Sequence, residues 1–311
     1  MTRDPSTNEP TEPDTAADTA EPAGAPEPAG ASEPAGAAPE PSGTERTVLV
    51  TGASSGIGRA TAAVFAEAGY RVLGTCRRPD SLAAADRVPG VRYLPLDLAS
   101  LDSVEECAAA AGAVDVLVNN AGQSRIGAAE ETSPAALQEI FAVNVLGTIR
   151  LTQLLLPGMR ERGRGSIIMV GSLLAEFPLP FRSAYVASKA ALRGFTLAAR
   201  EEVRPFGIRM SIIEPAYYRT GITGNRIRDV PPGGSVYARG LAAVEAGTAK
   251  GDARGGDPAD VARRILAIAR NPDPAPVYAV GRTEPYLLQL RRLLSNRAVE
   301  RLMARRYGLR G

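Results

Sequence analysis

A tyrosine and a lysine four residues apart are the part of this sequence best suited to chemistry. Tyr185 and Lys189 lie in an Ala-rich stretch that predicts a helix, so both side chains face the same side of it. An ammonium beside a phenol favours the phenolate, and such a tyrosine can donate a proton to an alkoxide or remove one from an alcohol. The chain uses arginine 34 times and lysine only at Lys189 and Lys250, which adds weight to this pair.

A glycine-rich turn between a strand and a helix marks a second functional region. The apolar run Thr47–Val50 predicts a buried strand, and the Ala-rich stretch Arg59–Ala68 predicts a helix. Glycines let the backbone of such a turn approach a pyrophosphate, and the helix N-terminus presents N–H groups and the positive end of its dipole. The turn therefore predicts a dinucleotide site, with contacts from Thr51, Gly52, Ser54, Ser55, Gly56, Ile57 and Gly58.

Short apolar runs alternate with helical patterns through the body of the chain. The predicted strands are Thr47–Val50, Arg71–Thr75, Val91–Leu94, Val114–Val118, Ser166–Val170 and Arg209–Ile213. The further predicted helices are Leu101–Ala111, Pro134–Arg162 and Ala184–Val203. This alternation is typical of an α/β fold, a Rossmann-type doubly wound parallel sheet flanked by helices. Ligands of such sheets bind beyond the carboxyl ends of the strands, so we expect the site there.

Five motifs, in order along the chain, resemble the short-chain dehydrogenase/reductase family in its common single-domain form. They are Thr51–Gly58, Asn119–Gly122, Asn144 within Val143-Asn144-Val145, Ser172 thirteen residues before Tyr185, and Tyr185 with Lys189. The resemblance covers Arg46 to about Ala216. It extends more loosely to the C-terminus, where it indicates the branch that contains 17β-hydroxysteroid and retinol dehydrogenase-like members. It implies an oxidoreductase that acts on CH–OH groups with NAD(P) as acceptor.

The resemblance also implies roles for individual residues. Tyr185 would be the general acid/base, Lys189 would bind the nicotinamide ribose, and Ser172 would donate a hydrogen bond to the substrate oxygen. Asn144 would hold a backbone distortion and a water in the proton relay to Lys189. The further cofactor contacts that it implies are Asp97, Leu98, Asn120, Ala121, Gly122, Tyr185, Pro215 and Thr220. Where the family usually has glycine, this chain has Ala216, which predicts a different backbone course at that point.

The residues at the end of the second predicted strand decide which nicotinamide cofactor is expected. An acidic residue there would bind the ribose 2′-hydroxyl and repel a 2′-phosphate. This chain instead has Cys76, Arg77 and Arg78, and a guanidinium binds a phosphate dianion through paired hydrogen bonds. The sequence therefore predicts NADP(H). The alternative is that Arg77 and Arg78 are ordinary surface arginines. The enzyme would then be an alcohol dehydrogenase of the same family that uses NAD(H).

Composition separates an acidic N-terminal tail from a basic body. Residues 1–44 lack aromatic residues and hold nine acidic residues against Arg3, a net charge of −8. Such a segment buries too little apolar surface to offset its ordering entropy, so we predict that it is disordered. Because the whole chain carries +2, the body of residues 45–311 carries +10. With no nucleic-acid motif beside it, this charge favours an anionic cofactor as the partner over nucleic acid.

The absence of histidine and the scarcity of cysteine exclude several kinds of site. A chain without histidine cannot form a histidine-dependent triad. Cys76 and Cys107 are too few and too far apart for a metal cluster or a disulfide framework, so no metal is expected. The sequence has neither an apolar core of signal-peptide type nor an apolar run long enough for a membrane span, so we expect a cytoplasmic location.

Two segments after the sixth predicted strand are expected to shape the substrate site. Residues 217–256 would form a lid that includes Tyr237, and the expected pocket wall adds Leu173, Leu174, Phe177, Phe181 and Gln123. This mixture predicts a small, fairly apolar ketone or alcohol as substrate. Residues 285–308 predict basic amphipathic helices, for which we favour covering the cleft or a subunit edge over contact with a membrane surface. The resemblance implies a homodimer or homotetramer formed through the two long helices.

Two further classes of function compete with this interpretation. A non-catalytic dinucleotide-binding sensor would keep the fold but lack the catalytic pair, and this chain has both Tyr185 and Lys189. Sugar-modifying epimerases share a Tyr-xxx-Lys pair, yet they usually have a Gly-xx-Gly-xx-Gly motif and a longer C-terminal substrate domain. Neither feature is present here, so a carbonyl–alcohol oxidoreductase is the function that we predict.

Overall fold

A parallel sheet forms the centre of the described part of the chain. The computed structural model describes residues 46–220, 226–281, 284–291 and 293–309, so the predicted disordered tail 1–44 lies outside the described residues. The strands are β1 Thr47–Val50, β2 Arg71–Cys76, β3 Arg92–Pro95, β4 Val116–Asn119, β5 Arg125–Gly127, β6 Gly165–Val170, β7 Ile208–Pro215, β8 Ile227–Asp229 and β9 Val277–Val280. Seven of them pair in parallel in the order β3-β2-β1-β4-β6-β7-β9.

Helices cover both faces of this sheet. They are α1 Gly56–Glu67, α2 Leu101–Ala111, α3 Pro134–Phe141, α4 Thr148–Glu161, α5 Ser183–Val203, α6 Ala238–Ala253, α7 Pro258–Arg270, α8 Glu284–Arg291 and α9 Asn296–Arg306. Apolar side chains of α2, α4 and α5 form one buried layer, and those of α1 and α7 form the other. The central strands are therefore buried on both sides, which explains their continuous apolar runs. The predicted α/β fold is confirmed.

The order of the strands places a crevice at the middle of the sheet. From β1 the chain first builds outward through β2 and β3, and it then returns to the other side of β1 with β4. Leu49 of β1 pairs with Leu73 of β2 and with Leu117 of β4. In doubly wound sheets the ligand binds at the carboxyl ends of the strands where the direction of winding reverses. The end of β1 is that point here.

The sequence predicted six strands of this sheet, each within two residues of its observed ends. It missed β9, the edge strand that pairs with β7, and the helix α7 that leads to it. It also missed a separate two-stranded parallel sheet, in which Arg125–Gly127 pairs with Ile227–Asp229. In this small sheet, β5 belongs to the segment after β4, and β8 belongs to the segment after β7 that was predicted to form the lid. Residues 221–225 of that segment lie outside the described residues.

The predicted helix Pro134–Arg162 is interrupted by a π-helical segment, Ala142–Gly147, between α3 and α4. A Cβ at Gly147 would lie 2.0 Å from the carbonyl oxygen of Leu98, so glycine lets the helix approach the loop after β3. By length and composition, Pro134–Glu161 could cross a membrane, but half of its most apolar window is buried within the molecule. Its apolar side chains belong to the core layer that covers the sheet.

The predicted basic C-terminal helix is a pair of helices, α8 and α9. Val299, Met303 and Tyr307 are buried against α6 and the loop after β6. The arginines at 297, 301, 305 and 306 are exposed. The helix pair therefore covers one side of the region beyond the carboxyl ends of the strands.

Candidate active site

A cleft of about 980 Å³ opens beyond the carboxyl ends of the central strands. It brings together most of the residues predicted for the cofactor and for catalysis. The predicted residues on its wall are Gly52, Ser54, Ser55, Gly56, Ile57, Arg77, Asp97, Leu98, Asn120, Ala121, Gly122, Ser172, Tyr185, Lys189, Pro215 and Thr220. Thr51, Gly58, Arg78 and Asn144 do not line it. Three of these four support the wall from behind, as described below, and Arg78 is exposed outside it.

The glycine-rich turn after β1 is held tightly by its neighbours. Gly52 has a φ of +70°, which favours glycine. A Cβ at Gly58 would lie 2.1 Å from the carbonyl oxygen of Gly52, so only glycine permits this contact. The Thr51 hydroxyl accepts hydrogen bonds from the backbone N–H groups of Asn120 and Ala121, each at 2.9 Å. Thr51 and Gly58 therefore fix the shape of the turn without facing the cleft.

The same turn fits the pyrophosphate of a dinucleotide. Helix α1 begins at Gly56, and the side chain of its N-cap residue, Ser55, makes no capping hydrogen bond. The N–H groups of the first helical turn have no partner within the helix, and the helix dipole places partial positive charge there. Ser54, Ser55 and Gly56 line the cleft at this end. These residues would hold an anionic group through backbone and hydroxyl donors.

At the end of β2, Cys76 and Arg77 line the cleft and Arg78 does not. Both arginines are exposed, and neither guanidinium forms an ion pair with a carboxylate of the described residues. Burial raises the pKa of the Cys76 thiol, so this side chain is neutral. The wall contributed by β2 thus presents one free guanidinium and no carboxylate.

Tyr185 and Lys189 occupy successive turns of α5, and both are nearly fully buried. The Lys189 ammonium donates a hydrogen bond of 2.8 Å to the carbonyl oxygen of Val170, the last residue of β6. Burial lowers the pKa of Lys189, and the nearby Tyr185 partly opposes this shift. A desolvated ammonium beside a phenol on one wall of a cleft can stabilise a phenolate and so serve proton transfer.

Asn144 lies in the π-helical segment and joins three elements by hydrogen bonds. Its Oδ1 accepts from the N–H of Gln123 at 2.7 Å, and its Nδ2 donates to the carbonyl oxygen of Gln123 and to Ser188 Oγ, both at 3.0 Å. A Cβ at Gly122 would lie 3.1 Å from Asn144 Oδ1 and 3.6 Å from Lys189 Nζ. The amide therefore sits directly behind the part of the wall where Lys189 lies.

Ser172 follows β6 and faces the cleft. Its hydroxyl accepts a hydrogen bond of 3.2 Å from the N–H of Leu174, which orients the side chain at the start of a short 3₁₀ turn. The hydroxyl proton remains available for a substrate oxygen. Further along the chain, Pro215, Ala216 and Thr220 also line the cleft. Ala216 has no positive φ, so the position does not require the glycine that the family usually has.

A buried carboxylate, Glu214, lies behind this wall at the end of β7. It is 0% exposed, and its Oε1 lies 3.1 Å from Arg193 Nε of α5. Burial raises the pKa of Glu214 to about 7, opposed by Arg193 and reinforced by Glu176. A carboxyl whose pKa is higher in the folded than in the unfolded chain binds its proton more tightly when folded. The stability that it contributes is therefore lost as the pH rises from about 4.5 to about 7.

Replacing this carboxyl is expected to flatten that pH dependence. Between about pH 5 and about pH 7.5, the free energy of unfolding of the wild type should fall by on the order of 2 kcal/mol more than that of Glu214→Gln. Urea denaturation at each pH measures the difference. Arg193 keeps a partner in this variant, because Glu176 lies 2.8 Å from it. Glu201→Gln, at an exposed position, should follow the wild type. Parallel curves for Glu214→Gln and the wild type would contradict the assignment.

Two residues at the substrate end of the cleft were not indicated by the sequence, Glu139 and Arg182. Tyr217, Arg226 and Asp252 come from the predicted lid, and the helices predicted to cover the cleft contribute Leu302, Met303, Arg306 and Tyr307. Of the predicted wall, Gln123, Leu173, Leu174 and Phe177 line the cleft. Phe181 and Tyr237 do not; their rings pack against each other outside it, with centres 6.4 Å apart.

Comparison with known proteins agrees with this geometry. The family model for the short chain dehydrogenases matches residues 46–231. The chain belongs to the short-chain dehydrogenase family. It is therefore a dehydrogenase/reductase that acts on CH–OH groups with NAD(P). Among the described residues, no group of three or more His, Cys, Asp or Glu side chains is placed to hold a metal ion.

Several members of the short-chain dehydrogenase family are similar over most of their length. Dehydrogenase/reductase SDR family member 7B of Bos taurus is 37% identical over 235 residues, which cover 71% of this chain and 69% of that protein. 3-Ketodihydrosphingosine reductase of Bacteroides thetaiotaomicron is 36% identical over 183 residues, 58% of this chain and 66% of that protein. A short-chain dehydrogenase structure from Streptomyces avermitilis is 35% identical, with a TM-score of 0.71, over 81% of this chain and 96% of that one.

Proposed function

We propose that this enzyme uses NADP(H) and reduces a ketone or aldehyde to an alcohol, with Tyr185 as the general acid. The observation that carries the proposal is that Arg77, without a carboxylate beside it on the β2 wall, lines the same cleft as Tyr185 and Lys189. A 2′-phosphate in this position would meet a guanidinium rather than an acidic side chain. The reaction runs in reverse as an alcohol oxidation, in which Tyr185 is the general base.

The side chains around Tyr185 supply what a carbonyl reduction requires. When bound, the nicotinamide supplies the hydride. Ser172 donates a hydrogen bond to the carbonyl oxygen and holds it close to the phenol. Tyr185 gives its proton to that oxygen as negative charge develops on it. Lys189 stabilises the resulting phenolate by its charge and would bind the nicotinamide ribose on the same side of the cleft.

Asn144 acts on this proton transfer through Lys189. Its amide ties Gln123 to Ser188, the residue that precedes Lys189, and so fixes the backbone that follows Gly122. The π-helical turn presents the Asn144 side chain at this point. We propose that a water bound beside Asn144 returns a proton to Lys189 and Tyr185 after each turnover.

Comparison with a solved structure supports the choice of NADP(H). The closed form of serine dehydrogenase complexed with NADP⁺ is 25% identical, with a TM-score of 0.63, over 75% of this chain and 94% of that one. Membership of the 17β-hydroxysteroid and retinol dehydrogenase-like branch stays a prediction, because the relatives named above carry neither description. A cytoplasmic location stays a prediction as well.

Assembly into a homodimer or homotetramer is part of the same proposal. Leu137 of α3 and Leu146 of the π-helical segment are 40% and 60% exposed, although they lie on the long helical stretch that covers the sheet. Exposed leucines on a long helix suit an interface with a second copy. We retain this helical stretch and α5 as the proposed contact.

Arg77→Asp tests the cofactor preference. We expect the Kd for NADPH to rise about 100-fold, since a bidentate guanidinium contact is replaced by a repelling carboxylate. The Kd for NADH should stay within about threefold of the wild type. Both constants follow from titrations of nicotinamide fluorescence.

The matched control is Arg239→Asp, which makes the same change of charge at an exposed position in the first turn of α6. An acidic residue is compatible with a helix N-terminus, and this variant should bind NADPH as the wild type does. Equal loss of NADPH affinity in both variants would show a general electrostatic effect and overturn the role of Arg77. Tight binding of NADH and weak binding of NADPH by the wild type would establish the NAD-dependent alternative.

A further inference from the structure

Arg182 is a buried cation on the wall of the active site. It lies three residues before Tyr185, lines the cleft and is 4% exposed. Its guanidinium carbon lies 4.6 Å from the centre of the Tyr185 ring, so the charge lies over the face of the ring. The preceding residue, Phe181, has a φ of +64°, and its carbonyl oxygen accepts a hydrogen bond of 2.9 Å from the N–H of Gly127. The surrounding structure therefore maintains a costly backbone conformation directly beside Arg182.

No carboxylate of the described residues forms an ion pair with Arg182. Its Nη2 donates to Ser124 Oγ at 2.8 Å, whereas its buried Nε has no hydrogen-bond partner. Arg226 reaches the same hydroxyl, at 3.4 Å, so two guanidiniums share Ser124. The carboxylate beside them, Asp252, lies 3.3 Å from Arg226 Nη2 and also attracts Arg182 electrostatically. Among the described groups, Arg182, Arg226 and Asp252 around the Ser124 hydroxyl together carry one positive charge in excess, whereas Arg125 beside them is paired with both Glu139 and Asp229.

The phenol of Tyr185 does not balance this excess when a carbonyl substrate binds for reduction. The phenol must then still hold its proton, because it is the proton donor of the reaction. Lys189, on the same helix, contributes a basic group and no negative charge. A buried unpaired charge is costly unless a ligand neutralises it. An anionic group of the substrate would supply that neutralisation close to the reacting carbon.

Part of the remaining substrate wall is apolar, beside the charged residues Glu139, Arg226, Asp252 and Arg306. It includes Leu173, Leu174, Phe177, Ile227, Leu302 and Met303. A ligand that satisfies both parts of this wall has an anionic end near Tyr185 and an apolar chain. This composition refines the fairly apolar substrate expected from the sequence, since it adds one charged group at a defined place.

We propose that Arg182 binds the carboxylate of the substrate, and that the enzyme acts on oxo acids and hydroxy acids with an apolar chain. Arg182 would bind both carboxylate oxygens through its terminal nitrogens, as guanidinium groups commonly do. The carboxylate then lies a short distance from the carbonyl carbon whose oxygen Tyr185 and Ser172 contact. The proposal rests on the proposed function for its reaction, but the binding of the anion requires only the folded cleft.

The test compares acids with their neutral esters. Racemic 2-, 3- and 4-hydroxyoctanoate and their methyl esters are offered to the enzyme with NADP⁺, and kcat/KM is measured for each. We expect at least one acid to exceed its ester by about tenfold or more. Arg182→Met should lower kcat/KM for that acid by about 100-fold and for its ester by less than about threefold. Arg182→Lys, which keeps the charge, should retain part of the preference for the acid.

Two results would overturn the proposal. Equal losses for acid and ester in Arg182→Met would show that Arg182 only positions Tyr185 or the backbone. A wild-type enzyme that prefers the ester in all three pairs would show that no carboxylate binds there.

A binding measurement separates this proposal from the proposed function. Calorimetry on Tyr185→Phe with NADP⁺ should detect the preferred hydroxy acid, and the Arg182→Met change in that background should abolish its binding. If the acid binds in this way but the wild type does not oxidise it, the proposed function fails and the anion site stands. If the wild type oxidises neutral alcohols but no variant binds the acid, the anion site fails and the proposed function stands.

Discussion

Tyr185→Phe should lower kcat/KM for carbonyl reduction by about 10³-fold while leaving the fold and the affinity for NADPH unchanged. The phenol lies on the wall of the cleft beside Ser172 and Lys189, so it is the proton donor within reach of a substrate oxygen held by Ser172. Phenylalanine keeps the ring and its packing against the Arg182 guanidinium but removes the acidic hydroxyl. Steady-state kinetics with NADPH and a reactive aldehyde measure the loss.

Tyr286→Phe is the matched control for this experiment. It removes the same hydroxyl from a side chain that is 71% exposed on α8, and it should retain wild-type kcat/KM. The affinity of Tyr185→Phe for NADPH, followed by nicotinamide fluorescence, shows whether the cofactor half of the cleft is intact. A Tyr185→Phe enzyme that keeps more than about a tenth of the wild-type kcat/KM would rule out the phenol as the principal proton donor.

The central sheet was predictable because its strands are buried on both faces. Thr47–Val50, for example, is fully buried, and a parallel strand in this position appears in the sequence as a continuous apolar run. The edge strand β9 lacks this pattern, since three of its four residues are only half-buried and prolines precede it. Short edge strands depend on pairing with a neighbour, here β7, which the sequence alone does not reveal.

Helix α6 was hidden by its glycines. Gly240, Gly247 and Gly251 lower the helix propensity of this stretch, and the sequence analysis treated it as part of a lid. In the structure each of the three lies against an aromatic ring, and a Cβ there would come within 3 Å of it. The rings belong to Phe181, Tyr307 and Tyr217, respectively. The glycines thus allow distant segments to pack closely against α6, and helix propensity carries no information on such contacts.

The catalytic half of the site was found from local spacing, whereas the substrate half was found only in part. Tyr185, Lys189 and Ser172 stand at fixed distances along the chain and next to elements with strong patterns. Leu302 and Met303 reach the same cleft from a helix more than a hundred residues further on. Arg182 is the exception, because it precedes Tyr185 by three residues at the start of α5 and thus lies beside its ring. That spacing was available in the sequence.

The charge of Lys189 is expected to matter as much as the hydroxyl of Tyr185. Lys189→Met keeps a side chain of similar length but removes the ammonium that stabilises the phenolate and would bind the nicotinamide ribose. We expect kcat/KM to fall by about 10³-fold and the Kd for NADPH to rise about tenfold. Lys189→Arg should not restore activity, since Lys189 Nζ is buried and hydrogen-bonded to the carbonyl oxygen of Val170, and a guanidinium needs more room.

Stability distinguishes a chemical role of Lys189 from a structural one. Burial lowers the pKa of Lys189, which shows that the folded protein disfavours its charged form. Removing this charge should therefore leave the Tm unchanged or raise it, even as activity is lost. Lys250→Met, at the chain's other lysine and exposed on α6, should change neither property. If Lys189→Met lowered activity only in proportion to a lost fraction of folded protein, Lys189 would serve the fold, and the proton-transfer mechanism would need another cation.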